Sequence, residues 1–132
     1  MLSFVLNLHF LNMILVLAIS TITGVWGLIL YFQKKEVINR PWKIALIATA
    51  VDGLIQGLLG IILLLLGQKA GTGTGLYYLH YVYGAIVALG IPVAYTYASK
   101  NIRVTILIFS LVALAIAAAG VRAMMTGLGI GS

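Results

Sequence analysis

Four long apolar stretches, separated by short polar segments, make up nearly the whole chain. They lie at about 6–32, 42–67, 78–98 and 102–126. Each is long enough for an α-helix to cross the hydrocarbon core of a bilayer, which takes roughly 20 apolar residues. The pattern predicts an all-α integral membrane protein, with one four-transmembrane-helix bundle over residues 1–132.

The first apolar stretch differs from a secretory signal peptide. No basic region precedes it, and it continues well beyond the roughly 7–15 apolar residues of a signal sequence without a clear cleavage site. We therefore expect a retained helix. Further along, Asn39 and Pro41 are typical of a helix start, and Pro92 predicts a kink inside the third helix.

The composition supports a membrane location. Hydrophobic residues make up 63% of the chain and charged residues only 8%, whereas about a quarter of a soluble domain is charged. The net charge of +6 indicates topology and contact with anionic lipid headgroups rather than with nucleic acid. The absence of cysteine excludes disulfides and thiolate-bound metals.

The basic residues predict the orientation of the chain. The first and third connections carry Lys34, Lys35, Arg40, Lys43, Lys100 and Arg103, whereas the second carries only Lys69. By the positive-inside rule, segments 33–42 and 99–103 are cytoplasmic and both termini lie outside the inner (cytoplasmic) membrane of the cell. Aromatic residues mark the two borders, with Tyr31, Phe32, Trp42, Tyr95 and Tyr97 inside and Tyr77, Tyr78 and Tyr81 outside.

The second and fourth helices resemble each other. Residues 43–67 align with 103–127 at a constant offset of 60, which pairs Gly60 with Gly120. A shorter similarity relates Leu8-His9-Phe10 to Leu79-His80-Tyr81. This pattern predicts two tandem helical hairpins in parallel orientation, related by a pseudo-twofold axis along the membrane normal. Shared membrane composition is the alternative explanation.

Two histidines and one arginine lie near the outer end of the predicted bundle. His9 begins the first helix, His80 begins the third, and Arg122 lies near the end of the fourth. Imidazoles facing each other across a bundle bind haem b through two axial nitrogens, and Arg122 or the nearby Lys69 then pairs with the propionates. The alternatives are a pigment, quinone or lipid at the same place, or side chains that merely contact headgroups.

Two polar residues interrupt the second apolar stretch. Asp52 lies about ten residues into the helix, near the membrane midplane, and Gln56 follows one turn later on the same face. Ionisable groups at this depth are costly and suggest function, such as a proton or cation relay. We favour a neutral Asp52–Gln56 pair that contacts a neighbouring helix through Ser20, Thr21 or Thr23.

No catalytic or metal-ligand motif occurs in the chain, so we expect no enzymatic activity. The glycine- and threonine-rich run at 71–75 predicts a flexible loop. The favoured function is a small non-catalytic integral membrane subunit of a larger complex of membrane subunits, for which a respiratory or photosynthetic electron-transport assembly fits best. The alternatives are a bis-histidine haem b electron carrier and a small transporter or channel that uses Asp52.

Overall fold

The computed structural model describes residues 1–70 and 78–128. It contains four helices, α1 (Leu2–Phe32), α2 (Arg40–Leu65), α3 (Leu79–Thr96) and α4 (Ile102–Gly127). Each is long and apolar enough to cross a membrane, and the described residues include no strand. The predicted all-α four-helix bundle is therefore confirmed. The predicted loop at 71–75 and Tyr77 lie outside the described residues.

α2 and α4 start close to the predicted positions, and an asparagine side chain caps each of them. Asn39 Oδ1 accepts a hydrogen bond from the Trp42 amide at 2.8 Å, and Pro41 occupies the first turn of α2. Asn101 Oδ1 caps α4 in the same way, through the amides of Arg103 and Val104. α1 begins four residues earlier than predicted, and α3 continues through Pro92.

The helices form a ring in chain order. α1 and α3 each pack against both α2 and α4, α2 touches α4 across one diagonal, and α1 makes no close backbone contact with the described part of α3. We call the end that carries the α1–α2 and α3–α4 connections the basic end, and the opposite end the terminal end. Which end faces the cytoplasm stays a prediction.

The paired glycines of the two hairpins make different contacts. Gly60 of α2 and Gly120 of α4 are partners in the predicted duplication, and a twofold axis would place them against α1 and α3 respectively. Gly60 does lie beside His9 of α1, but Gly120 packs against Met13 and Leu17, which also belong to α1. The internal duplication stays a prediction.

The core at the basic end is built around Trp42. This side chain, predicted to join the aromatic belt at the interface, is fully buried, and its Nε1 donates a hydrogen bond to the Thr23 carbonyl at 3.0 Å. Its ring packs so closely on Gly27 that a Cβ there would lie 2.8 Å from Trp42 Cζ2. A small residue on α1 therefore makes room for a large one on α2.

Large apolar side chains cover the outside of all four helices. The exposed ones include Phe10, Ile22, Leu58, Leu89 and Leu111. This apolar surface is compatible with lipid, because hydrocarbon tails form no hydrogen bonds.

Contact between α2 and α3 is closest near the middle of α2. A Cβ on Gly53 would meet the carbonyl oxygen of Val87, and one on Gly57 would lie 2.9 Å from Ala88 Cβ. Gly84, one turn nearer the terminal end of α3, has nothing within 4 Å of its Cβ position. The two helices therefore separate towards the terminal end and leave a cleft between them.

Candidate functional site

The cleft between α2 and α3 leads into a cavity of about 450 Å³ at the terminal end of the bundle, here called the terminal cavity. All four helices line it, mostly with apolar side chains; its polar lining residues include His9, Gln56, Lys69 and His80. Cavities that bind small molecules have volumes of about 300–1,000 Å³, apolar walls and a few placed polar groups. The terminal cavity has all three properties.

Glycines make room around the two histidines. A Cβ on Gly60 of α2 would lie 3.5 Å from His9 Cε1, and one on Gly127 of α4 would lie 2.9 Å from His80 Cε1. Gly84 leaves open space on the α3 side. Each imidazole therefore lies beside a glycine of a neighbouring helix; a Cβ on Gly127 would press on the His80 ring, whereas one on Gly60 would make an ordinary contact with His9.

The backbone of α4 orients the His80 ring. His80 lies in the first turn of α3, and its Nδ1 is 2.6 Å from the carbonyl oxygen of Ala123 near the end of α4. A carbonyl only accepts hydrogen bonds, so Nδ1 carries the proton. In the neutral ring the lone pair is then on Nε2, which is free to accept a hydrogen bond or to bind a metal.

The structure brings His9 and His80 together. Their ring centres are 6.1 Å apart and the ring planes meet at 65°, although α1 and α3 are diagonal helices whose backbones do not touch within the described residues. His9 Nδ1 is buried and has no hydrogen-bond partner. Such an orphaned nitrogen is uncommon in a folded protein and calls for an explanation.

The structure does not bring Arg122 together with the two histidines. Its guanidinium carbon lies 5.8 Å from the centre of the Tyr83 ring and its Nη1 is 3.7 Å from Met125 Sδ. The physical reason is helical geometry, since consecutive residues are turned by about 100° and Ala123, the next residue, is the one that lines the cavity. The cation that does line the cavity is the exposed Lys69.

Asn12, which was not among the predicted site residues, holds the cavity-lining Gln56 in place. Its Nδ2 donates to Gln56 Oε1 at 2.9 Å and lies 3.3 Å from the backbone carbonyl of Asp52. Gln56 Nε2 in turn donates to the carbonyl of His9 at 3.0 Å. These hydrogen bonds join α1 to α2 on the side of the histidines that faces the basic end. Asn12 follows His9 by three residues, so the helical repeat was a signal that the two share a face.

The structure does not join the side chains of Asp52 and Gln56 to each other, and Gln56 alone makes the expected contact with a neighbouring helix. Asp52 is buried, its Oδ2 has no hydrogen-bond partner, and the side chain of Gln56 is bonded to Asn12 and His9 instead. Two of the expected neighbours have other partners, since the Thr23 hydroxyl lies against Thr49 and Ala45 and the Ser20 hydroxyl donates to the Leu17 carbonyl. A relay needs a continuous chain of polar groups, and within the described residues the Asp52 carboxyl joins none.

The terminal cavity presents a few nitrogen and oxygen groups within apolar walls. No group of three or more His, Cys, Asp or Glu side chains able to hold a metal ion occurs in residues 1–70 and 78–128. Among the described residues, the polar side chains that line the cavity are the imidazoles of His9 and His80, the amides of Gln56 and Gln68, the Tyr81 phenol and the Lys69 ammonium. Comparison with known proteins found no matching family model, no matching curated protein and no matching solved structure.

Proposed function

We propose that the protein is a small, non-catalytic integral membrane subunit that holds a lipid-soluble redox cofactor or carrier in the terminal cavity. The larger complex to which it contributes this molecule is an electron-transport assembly. The proposal rests on the two imidazoles of His9 and His80, whose ring centres lie 6.1 Å apart in an apolar cavity of about 450 Å³.

The position of the opening supports a ligand that dissolves in lipid. Ile61 and Leu64 of α2 and Leu89 of α3 line the cavity and are also exposed on the outer surface of the bundle. A molecule in the hydrocarbon layer therefore reaches the cavity by moving sideways between α2 and α3. A strongly hydrated molecule would first lose its hydration shell at this apolar surface.

The small amount of chain between the helices supports a role inside an assembly. Segments 33–39 and 97–101 are the whole connections at the basic end, so a soluble redox partner finds little surface there. The apolar helix faces suit neighbouring membrane helices as well as lipid. With the basic end in the cytoplasm, as the positive-inside rule predicts, the cavity lies in the outer leaflet.

Filling the cavity tests the proposal. We expect wild-type protein, purified from its native membranes in mild detergent, to retain a small non-protein molecule in native mass spectrometry. Gly84→Leu should lose most of it, because the new side chain occupies open space in the cavity while leucine favours the helix over glycine.

Ala118→Leu is the matched control, since Ala118 is exposed on α4 and lies away from the cavity lining. It should retain the molecule as wild type does. Wild-type protein without any bound molecule, or equal retention by Gly84→Leu, would contradict ligand binding. If no other membrane protein copurifies with the wild type, the proposed role in a larger assembly is contradicted.

A further inference from the structure

We infer that the ligand of the terminal cavity is a b-type haem whose two axial ligands are His9 and His80. This inference rests on the proposed function and names the chemical class of the molecule. Four observations support it: the orientation of His80, the spacing of the two rings, the number of protein ligands, and the small residues and the cation around them.

The hydrogen bond made by His80 is the kind that metal-binding histidines make. Such a histidine usually donates its other ring N–H to a carboxylate, a backbone carbonyl or water, which fixes the tautomer and the ring orientation. His80 donates from Nδ1 to the Ala123 carbonyl, so Nε2 offers a lone pair. An oxidised quinone accepts hydrogen bonds through its carbonyl oxygens. His80 Nε2 carries no proton in this tautomer and therefore cannot donate one.

The spacing of the two rings matches coordination of one metal ion from opposite sides. A bond from metal to imidazole nitrogen is about 2 Å long and the ring centre lies about 1 Å behind the nitrogen, which puts two opposed ring centres about 6 Å apart. The observed separation is 6.1 Å. His9 Nδ1 is buried without a hydrogen-bond partner, and coordination of the iron through this nitrogen would give it the partner that the protein does not.

The number of protein ligands favours a porphyrin over a bare metal ion. Structural and catalytic zinc sites take three or four protein ligands, whereas the described residues contain no cluster of three or more candidate ligands. An iron porphyrin brings four nitrogens of its own and takes only two from the protein. Two histidines on facing helices are therefore a sufficient set for haem.

The surroundings of the histidines suit a large flat molecule. α1 and α3 are diagonal, so the space between their histidines is bordered by α2 and α4, where Gly60 and Gly127 are the neighbouring residues. Lys69 lines the cavity next to Ala70, whose amide donates to the Tyr81 hydroxyl at 3.2 Å. This ammonium is the cation available to a haem propionate, in place of Arg122.

Optical and magnetic spectra of protein produced with haem available test the inference. We expect a Soret band, a low-spin reduced-minus-oxidised spectrum and the electron paramagnetic resonance signal of a bis-imidazole ferric haem. His9→Ala and His80→Ala should each lose the low-spin species, whereas Arg122→Ala should keep it. Circular dichroism and gel filtration select variants that are folded, and added imidazole should restore the low-spin signal in His80→Gly.

The outcomes separate this inference from the proposed function. A wild-type protein that binds no haem but retains another extractable molecule, such as a quinone, would overturn the haem assignment and leave ligand binding intact. Low-spin haem that survives in both folded alanine variants would overturn the assignment of the axial ligands. Protein that retains neither haem nor any other small molecule would overturn both proposals.

Discussion

Trp42→Ala is expected to lower the free energy of unfolding by about 3–5 kcal/mol, the range for removing a large buried aromatic ring. Trp42 has 0% exposure, contacts Gly27 of α1 at the basic end, and belongs to the same buried apolar cluster as Ile106 and Phe109 of α4. Gly27 has no side chain with which to fill the space that the ring leaves. Unfolding in mixed micelles of mild detergent and sodium dodecyl sulfate, followed by circular dichroism, measures the change.

Two further variants separate the contributions of Trp42. Trp42→Phe keeps most of the ring but removes the Nε1 donor to the Thr23 carbonyl, so a smaller loss of about 1 kcal/mol is expected. Tyr95→Ala removes an aromatic ring that is 74% exposed near the same end, and should change stability by no more than about 0.5 kcal/mol. Equal losses for Trp42→Ala and Tyr95→Ala would show that Trp42 is not a core residue.

Gly53→Ala and Gly84→Ala are expected to change stability in opposite directions. A Cβ on Gly53 would meet the backbone carbonyl oxygen of Val87, and since backbone cannot turn aside as a side chain does, α2 and α3 must move apart. Overpacking of this kind costs about 1–3 kcal/mol. Gly84 has open space at its Cβ position, so alanine there should stabilise α3 by up to about 1 kcal/mol through its helix propensity.

The same unfolding assay compares the two glycine variants. Both substitutions make the same chemical change inside a membrane helix, so any general effect of alanine cancels between them. A stabilising effect of Gly53→Ala, or a large loss in Gly84→Ala, would contradict the close crossing at Gly53 and the cleft that widens from it.

The four helices could be predicted because the bilayer sets both their length and their composition. Apolar runs of sufficient length identify all four, and Asn39 with Pro41 marks the start of α2. The true ends differ by a few residues, as at the start of α1, because an apolar run carries no sharp signal where a helix leaves the hydrocarbon. The burial of Trp42 was missed since tryptophan at that depth usually faces the headgroups.

The end of the bundle at which the site residues lie could be predicted, but the directions of their side chains could not. Position along the chain places His9, His80 and Arg122 at one end of the bundle. Whether a side chain points inward depends on how far each helix is rotated about its axis, and one residue of error is a turn of about 100°. This is why Ala123 rather than Arg122 faces the cavity, and why the contact of Asn12 with Gln56 was not foreseen.

Whether His9 and His80 face each other inside one cavity is tested most directly by solid-state nuclear magnetic resonance in lipid bilayers. The chain contains two histidines, so protein labelled with ¹³C and ¹⁵N only in histidine gives an unambiguous spectrum. For rings 6.1 Å apart, haem-free protein should show a cross peak between the two imidazoles that persists on dilution with unlabelled protein. The ¹⁵N shifts should show a proton on Nδ1 of His80. Two histidines without a mutual cross peak, or a cross peak that disappears on dilution, would contradict the site.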